Sequence, residues 1–243
     1  MSGTAADELL TGYYDHHNLH LNEMKDHADF PQLLTDWKAN TGSFVRNPYL
    51  ANPELYFEDP TIRDHIYLNN DVFAGLLKVP FSEGFIEENY TPNLLRNRML
   101  NELFHEAIPV ILHEDDLNSM CFSIENRSPY LDRALYDFSY SIPPEHLMKD
   151  GFAKYTLRMA MEGILTDKVR LDRRKKGFNA SFQSVIDLKD DKNIDYLLDG
   201  EKIFELVDRD KMRDVFKMDP LPNSYSKFLF NFVNAKIFMD KHA

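Results

Sequence analysis

The apolar residues of this chain recur mainly with the spacing of α-helices. Two neighbouring stripes on one segment consist of Leu95, Met99 and Leu103 beside Leu100, Phe104 and Ile108. Thr91-Pro92 predicts the start of this helix, because Thr is a common N-cap and Pro is favoured at the first helical position. Pro109 removes a backbone donor and therefore predicts either a kink or the start of a new helix.

Three further segments carry helical patterns, and they span residues 132–141, 153–164 and 224–239. The last has a wide apolar face made of Phe228, Leu229, Phe232, Val233 and Phe238. Region 44–89 contains scattered prolines and aromatic residues and is predicted to form loops and short helices, as a lid or a partner surface. Buried β-branched strands that alternate with helices are missing from the pattern, so the chain is predicted to be mainly α.

The composition is typical of a globular protein, with 43% hydrophobic and 28% charged residues in a length of 243. A net charge of -12 argues against nucleic-acid binding, which requires a basic surface. The single cysteine, Cys121, excludes a disulfide framework and fits a reducing compartment. The first residues do not resemble a signal peptide, and no apolar stretch reaches the length of a membrane span, so we expect a cytoplasmic protein.

The first candidate site lies at the start of the sequence, in S-G-T-A-A-D-E-L-L-T-G-Y (2–13). A turn of small residues that leads into a helix presents free backbone N–H groups, which suit a phosphate. Asp7 and Glu8 are candidates to hold Mg²⁺ bridged to phosphates. The alternative is that both acids only complement the helix dipole.

The second candidate site is the block D-D-L-N-S-M-C-F-S-I-E-N-R-S-P-Y-L-D (115–132), where an apolar run separates charged residues. Such a segment is interpreted as the wall of a polar pocket. Glu125 and Arg127 would then orient a substrate amine or carboxylate, or else form a buried ion-pair network that joins two helices. Asp132 is interpreted as an N-cap, and Asp115 and Asp116 are expected to cap helices or to brace Arg127.

The third candidate site is a basic run of six cations in nine positions: Lys168, Arg170, Arg173, Arg174, Lys175 and Lys176. Such a cluster attracts a compact polyanion and stabilises the charge on a leaving pyrophosphate. A solvated surface, a localisation signal or a nucleic-acid patch are the alternatives. His16, His17 and His20 lack the partners of a zinc site and are interpreted as surface or helix-packing residues, and Trp37 as core.

These three elements resemble, in the same order, motifs of the asparagine synthetase family: S-G-x-G-A-D-E-x-x-G-G-Y, D-D-R-x-S-M…E-x-R-x-P-F-L-D and R-R-x-K-K-G-F. The resemblance spans most of residues 1–180. Complete family members also have a glutaminase domain and a pyrophosphatase loop, S-G-G-x-D-S-S, which does not occur here. The resemblance therefore implies the helical rear half of an α/β PP-loop synthetase domain with little or no sheet, followed by a helical extension over 181–243.

The resemblance also implies an ATP-dependent amide-forming ligase that adenylates aspartate or a related carboxylate and then aminates it. The implied cofactors are ATP and Mg²⁺, and the implied partner is the missing front half, supplied in trans or by the full gene. A homo-oligomer is possible in principle, whereas a nucleic-acid or membrane partner is not expected. Alone, the chain is expected to be inactive or nearly so. The alternatives are a non-catalytic remnant or interaction module, and a lactam-forming relative in which Tyr130 or Tyr136 would pair with Glu125.

By the same resemblance, Ser2 and Gly3 would contact ATP, and Thr4 would lie where the acyl-adenylate forms. Asp7, with Glu8, would hold Mg-pyrophosphate, and Glu125 would act when the amine attacks. Lys175 and Lys176 would contact phosphates, and Arg127 and Asp132 would support the site. Thr4 and Ala5 depart from the acidic and glycine residues that are commoner in the family, which leaves the acceptor acid open.

Overall fold

The computed structural model describes residues 1–66, 69–79, 81–82, 84–173 and 180–242. These residues form helices and loops without a sheet, and their two isolated β-bridges join Leu77 to Val207 and Lys149 to Phe152. The prediction of a mainly α chain is confirmed. No helix in the described ranges combines the length and apolar character that crossing a membrane requires.

The α-helices are short apart from the last, and the described residues place them as follows. They are α1 Ala6–Leu10, α2 Tyr14–Glu23, α3 Phe30–Asn40, α4 Glu54–Glu58, α5 Asn70–Ala74, α6 Leu94–Asn101, α7 Ile108–Met120, α8 Arg133–Ser141, α9 Tyr155–Ala160, α10 Asp167–Arg170, α11 Asp191–Leu198, α12 Ile203–Leu206, α13 Arg209–Phe216 and α14 Asn223–His242. One π-helical turn and several single turns of 3₁₀-helix, such as Gly42–Phe44 and Pro129–Leu131, complete the pattern.

Side-chain caps decide where two of the predicted helices begin. The Asp132 carboxylate accepts from the backbone N–H groups of Ala134 and Leu135, so α8 begins as predicted. By contrast, α6 begins at Leu94 rather than at Thr91-Pro92, because the Asn93 side chain accepts from the Arg96 amide. The predicted start was therefore too early, because Thr91-Pro92 lies before the actual N-cap Asn93 by about half a turn.

Pro109 lies in the first turn of a new helix, which was one of the two predicted outcomes. The segment Glu102–Glu106 between α6 and α7 is a π-helical turn, closed by the Ala107 amide donating to the Glu102 carbonyl. Pro109 then occupies the first turn of α7, where a missing backbone donor has no cost. Of the predicted stripes, Leu95, Met99 and Leu103 are buried, whereas Phe104 is exposed.

The other predicted helices differ from the structure in length. Helix α9 ends at Ala160, short of the predicted Ile164, because the chain turns there and Gly163 adopts a left-handed conformation with φ 74°. Helix α14 is longer than predicted and runs over Asn223–His242. Its residues Leu229, Phe232 and Val233 are buried, but Phe238 is exposed.

The chain divides into two compact units. The larger consists of Met1–His65 and Ile86–Lys175, and the smaller of Ile66–Phe85 and Lys176–Ala243. The core of the larger unit is built around residues such as Leu19, Tyr56 and Leu95, and that of the smaller around residues such as Leu197, Met212 and Leu229. The domain boundary expected at residue 180 stays a prediction.

Candidate active site

The first residues form a hydrogen-bonded turn that is attached to the block at 115–132. The hydroxyl oxygens of Ser2 and Thr4 lie 2.5 Å apart, and the Thr4 amide donates to Ser2 Oγ at 3.2 Å. The Ser2 amide in turn donates to the Arg127 carbonyl at 2.8 Å. Two segments that are more than a hundred residues apart in sequence, and that were separate candidates, are therefore adjacent.

Both ends of α1 have left-handed backbone. Ala5 has φ 76° immediately before the helix, and Thr11 has φ 62° immediately after it. Glycine adopts this conformation without steric cost, whereas alanine and especially the β-branched threonine do not. The motif S-G-x-G-A-D-E-x-x-G-G-Y carries glycine at both positions. Left-handed backbone therefore occurs here at the two positions where Ala5 and Thr11 replace glycines of that motif.

The Asp7 carboxylate forms an ion pair with Lys154, with 2.5 Å between Oδ1 and Nζ. Both side chains are about a quarter exposed. Gly12 makes this pair possible, since a Cβ atom there would lie 1.5 Å from Asp7 Oδ1 and 2.6 Å from Lys154 Cε. Lys154 was not predicted as a site residue, since the sequence placed it only within the predicted helix over 153–164.

Glu8 has a different environment from Asp7 and does not fit the predicted metal role. Its side chain is buried, and its Oε1 accepts from the Tyr13 hydroxyl at 2.5 Å. Burial, together with the neighbouring Glu8 carboxylate, raises the pKa of Tyr13, so this tyrosine remains a donor. Asp7 is the carboxylate of this turn that remains accessible. One carboxylate still fits Mg²⁺, which commonly takes one or two carboxylates together with substrate phosphates and water.

The block at 115–132 is exposed, and the described residues do not enclose it as the wall of the polar pocket that the sequence predicted. Glu125 and Arg127 form an ion pair at 2.6 Å, but their side chains are 74% and 75% exposed. Phe122 and Ile124 are also exposed, because none of the described residues packs over the segment. A buried ion-pair network is therefore excluded for this pair. Asp132 is an N-cap as predicted, whereas Asp115 accepts from Asn126 rather than bracing Arg127.

The basic run is only partly described. Arg174, Lys175 and Lys176 lie outside the described residues. Arg170 is buried and pairs with Asp167 at 2.9 Å, which makes it structural. Arg173 lies over the Phe152 ring, 3.9 Å from its centroid, and donates to the Asp150 carbonyl at 3.2 Å.

The turn at 150–154 therefore contacts both the N-terminal turn, through Asp7, and the basic run, through Arg173. Arg173 contacts one end of this turn, and Asp7 forms its ion pair with the other end. Together with the contact between Ser2 and Arg127, these interactions gather parts of all three sequence motifs within the larger unit. An accessible carboxylate, a lysine and an arginine in such an arrangement suit the binding of a metal-bound polyphosphate.

The strongest charged cluster of the larger unit was not predicted as a network. It is centred on Arg98, which is buried on α6 and contacts the carboxylates of Asp15, Glu87, Glu102 and Glu106 at 2.6 to 3.0 Å. His16 Nε2 lies 2.7 Å from Glu102 Oε2. The buried positions of His16 and His20 agree with the interpretation as helix-packing histidines. Glu102 lies four residues after Arg98, so this one pair had a local signal. Asp15 and Glu87 come from other segments, so the complete network had no signal in the sequence.

The charges of this network perturb the pKa values of its members. Burial alone would raise the pKa of Asp15, but a hydrogen bond from His65 and the charges of His16 and Arg98 hold it well below its usual range. Burial likewise opposes protonation of His16, yet the adjacent Glu102 and Asp15 carboxylates raise its pKa. Asp15, His16 and Glu102 are close enough to share a metal ion. Arg98 already donates to both carboxylates, however, so the arrangement is an ion-pair network.

Comparison with known proteins agrees with the resemblance of the motifs. The family model described as Asparagine synthase matches residues 1–236. Asparagine synthetase [glutamine-hydrolyzing] 1 of Bacillus subtilis (strain 168) is 44% identical over 198 residues, which cover 73% of this chain and 30% of that protein. Asparagine synthetase [glutamine-hydrolyzing] 3 of the same organism is 31% identical over 178 residues, covering 73% of this chain and 26% of that protein. No solved structure matches the chain significantly.

Proposed function

Because the chain belongs to the asparagine synthase family, we propose that it is part of an ATP-dependent ligase that forms an amide from a carboxylate substrate. The chain spans less than a third of the length of each of the two relatives. The names of these relatives support glutamine as the nitrogen source and asparagine as the product. Aspartate or a related acid is accordingly the proposed substrate.

The phosphates of ATP are proposed to bind at the N-terminal turn. Ser2 and Gly3 contact the nucleotide, and Thr4 faces the carboxylate that is activated. Asp7 would hold Mg²⁺, and the bound ion would supply positive charge to the phosphates. Lys154 forms an ion pair with Asp7. Its side chain would therefore move together with the Asp7 carboxylate when the metal binds. Lys175 and Lys176 supply further positive charge to the phosphates.

Glu125 is proposed to act at the amination step. Its exposed carboxylate is accessible to a substrate, and Arg127 holds it at 2.6 Å. A carboxylate in this position accepts hydrogen bonds from an attacking amine and orients it. Arg127 then serves as a positioning residue, through its side chain for Glu125 and through its carbonyl for Ser2.

The observation that carries this proposal is the attachment of the N-terminal turn to the other two motifs. Asp7→Asn should test it in a complete system, in which this chain is mixed with a second polypeptide made from the part of the first B. subtilis relative that it does not match. We expect amide formation from ATP, aspartate and glutamine to fall by about 10²-fold, since a charged group at the phosphates is lost. The exposed Asp26→Asn is the matched control.

Lys175→Ala provides an independent test of the basic run in the same mixture. We expect loss of amide formation with unchanged folding, whereas Lys38→Ala on the exposed side of α3 should leave the rate unaltered. If Lys175→Ala leaves the turnover unchanged, the basic run is a charged surface without a role at the phosphates. Amide formation by the isolated chain would show that the second polypeptide is unnecessary.

Such a second polypeptide is part of the proposal because α7 exposes apolar side chains on several sides. Val110, Leu117 and Met120 are 56%, 58% and 52% exposed, and Phe122 and Ile124 continue the surface. Exposed apolar side chains that cluster on a helix and on the segment after it are typical of a protein–protein contact surface. Glu114, Asp115 and Asp116 make this helix acidic, so contact with a second copy would bring like charges together. A partner with an apolar surface and a basic rim fits better.

Two alternatives would use the same features differently. A non-catalytic interaction module would bind a partner through α7 without turning over ATP, and the Asp7→Asn comparison separates this case. A lactam-forming relative would require a tyrosine beside Glu125. Tyr136 instead lies against Phe104 and Tyr140, and Tyr130 packs against the core of the larger unit. The described contact of Glu125 is with Arg127, so no observation favours this alternative.

A further inference from the structure

Helix α3 buries a polar atom that the described residues do not satisfy. The indole nitrogen of Trp37 has no hydrogen-bond acceptor in the described part of the chain, and the residue is only 6% exposed. A buried donor without an acceptor is costly, and most such groups in native proteins bind either protein or ordered water. The surroundings of Trp37 therefore need to supply an acceptor.

Trp37 lines a small cavity within the larger unit, together with His20 of α2, Thr41 at the end of α3 and residues of the turn at 148–152. The cavity offers about 20 Å³ to the centre of a water-sized sphere. One water molecule needs roughly 10–15 Å³ by this measure. The space therefore suits a single water molecule and is too small for a metabolite.

The other polar groups of the cavity can complete the hydrogen bonds of a water molecule. His20 Nε2 lies 2.8 Å from the Pro144 carbonyl oxygen, which can only accept, so Nε2 carries a proton. Burial lowers the pKa of His20 to about 4, and the neutral ring therefore has a lone pair on Nδ1. Thr41 is buried and adds a hydroxyl group that accepts or donates.

We propose that this cavity binds one ordered water molecule, which accepts from Trp37 Nε1 and donates to His20 Nδ1. Such a water joins α2 and α3 by hydrogen bonds that the protein atoms do not make directly. The water also lies beside the turn at 148–152, where the Arg173 guanidinium lies over the Phe152 ring. The site is independent of the proposed ligase activity.

The chain contains a single tryptophan, so the indole proton of Trp37 gives one unambiguous NMR signal. In the ¹⁵N-labelled full chain we expect a nuclear Overhauser cross-peak from this proton to the water resonance, with the sign of a water molecule that tumbles with the protein. We also expect slow exchange of the indole proton with solvent. A missing cross-peak together with slow exchange would mean a dry cavity or a protein acceptor, and would overturn the proposal.

A hydroxyl proton that exchanges with water can mimic such a cross-peak, and Thr41 is the hydroxyl group of the site. Thr41→Val and Thr41→Ala both remove it while Trp37 and His20 remain, and either variant is sufficient if the other fails to fold. The proposal expects the cross-peak to persist. Its loss in a folded variant would assign the signal to Thr41, and indole exchange as fast as in free tryptophan would show an open, solvated site. Either result contradicts an ordered water.

Discussion

Two arginines of the larger unit, Arg98 and Arg127, each contact carboxylates at 2.6 Å but have opposite surroundings. The Arg98 side chain is 5% exposed and has several carboxylate partners, whereas the Arg127 side chain is 75% exposed and pairs with Glu125. Water screens the exposed pair, so the pair contributes little to the free energy of unfolding. Removing one member of the buried network, by contrast, leaves a buried charge without its partner. Equal distances therefore say little about energy. We infer that the buried network stabilises the fold, whereas the exposed pair contributes little to stability and stays accessible to solvent.

The largest expected effect comes from removing one arginine of each kind. Arg98→Met should lower the free energy of unfolding by about 3–5 kcal/mol, because Asp15 and Glu102 lose their buried partner. Arg127→Met should change it by only about 0–1 kcal/mol. Chemical denaturation of both variants measures the difference, and equal losses would remove the distinction between the two regions.

A smaller effect is expected where the candidate site is most tightly packed. Gly12→Ala would place a methyl group 1.5 Å from Asp7 Oδ1 and should force the pair of Asp7 and Lys154 apart. We expect a loss of about 1–3 kcal/mol in the free energy of unfolding. Gly84→Ala is the matched control, since nothing lies within 4 Å of the added carbon. If both variants unfold at the same denaturant concentration, position 12 does not closely contact Asp7 and Lys154 in the protein.

The buried network should also make stability depend on pH. The pKa of His16 is raised in the folded state by Glu102 and Asp15 although burial and Arg98 oppose this. A group with a raised folded pKa contributes stability below its unfolded pKa, about 6.5, and this contribution is lost as the pH rises through the folded pKa. Thermal unfolding should therefore shift to lower temperature as the pH rises above about 6.5. In His16→Asn this slope should be weaker, and an identical slope would exclude His16 as its origin.

The smallest effect concerns the strained turn before α1. Ala5 has φ 76°, a conformation that costs an L-residue about 1–2 kcal/mol. Glycine avoids this strain, but its unfolded chain has more conformational entropy, which offsets part of the gain. Ala5→Gly should therefore stabilise the fold by roughly 0.5–1 kcal/mol. Thr11→Gly is less informative, because the buried Thr11 hydroxyl also donates to the Leu10 carbonyl. A destabilised Ala5→Gly would show that packing of the methyl group outweighs the strain.

Much of the helical architecture could be predicted because the responsible signals are local. Asp132 caps α8, Pro109 lies in the first turn of α7, and the spacing of Leu95, Met99 and Leu103 identified a buried stripe. A cap, a missing donor and a periodic stripe each act within a few residues. The error at Thr91-Pro92 was of the same local kind, since Asn93 provides a competing cap.

The sequence alone was sufficient to identify the motifs and the family. Both are recognised from the order of residues along the chain. The tertiary structure decided which side chains meet: the pairing of Asp7 with Lys154, the contact between Ser2 and Arg127, and the burial of Glu8. It also showed that the block at 115–132 is exposed, and that Arg98, which was not a candidate residue, is buried among carboxylates. The physical reason is that burial and long-range ion pairs depend on segments distant in sequence, whose approach no local pattern encodes.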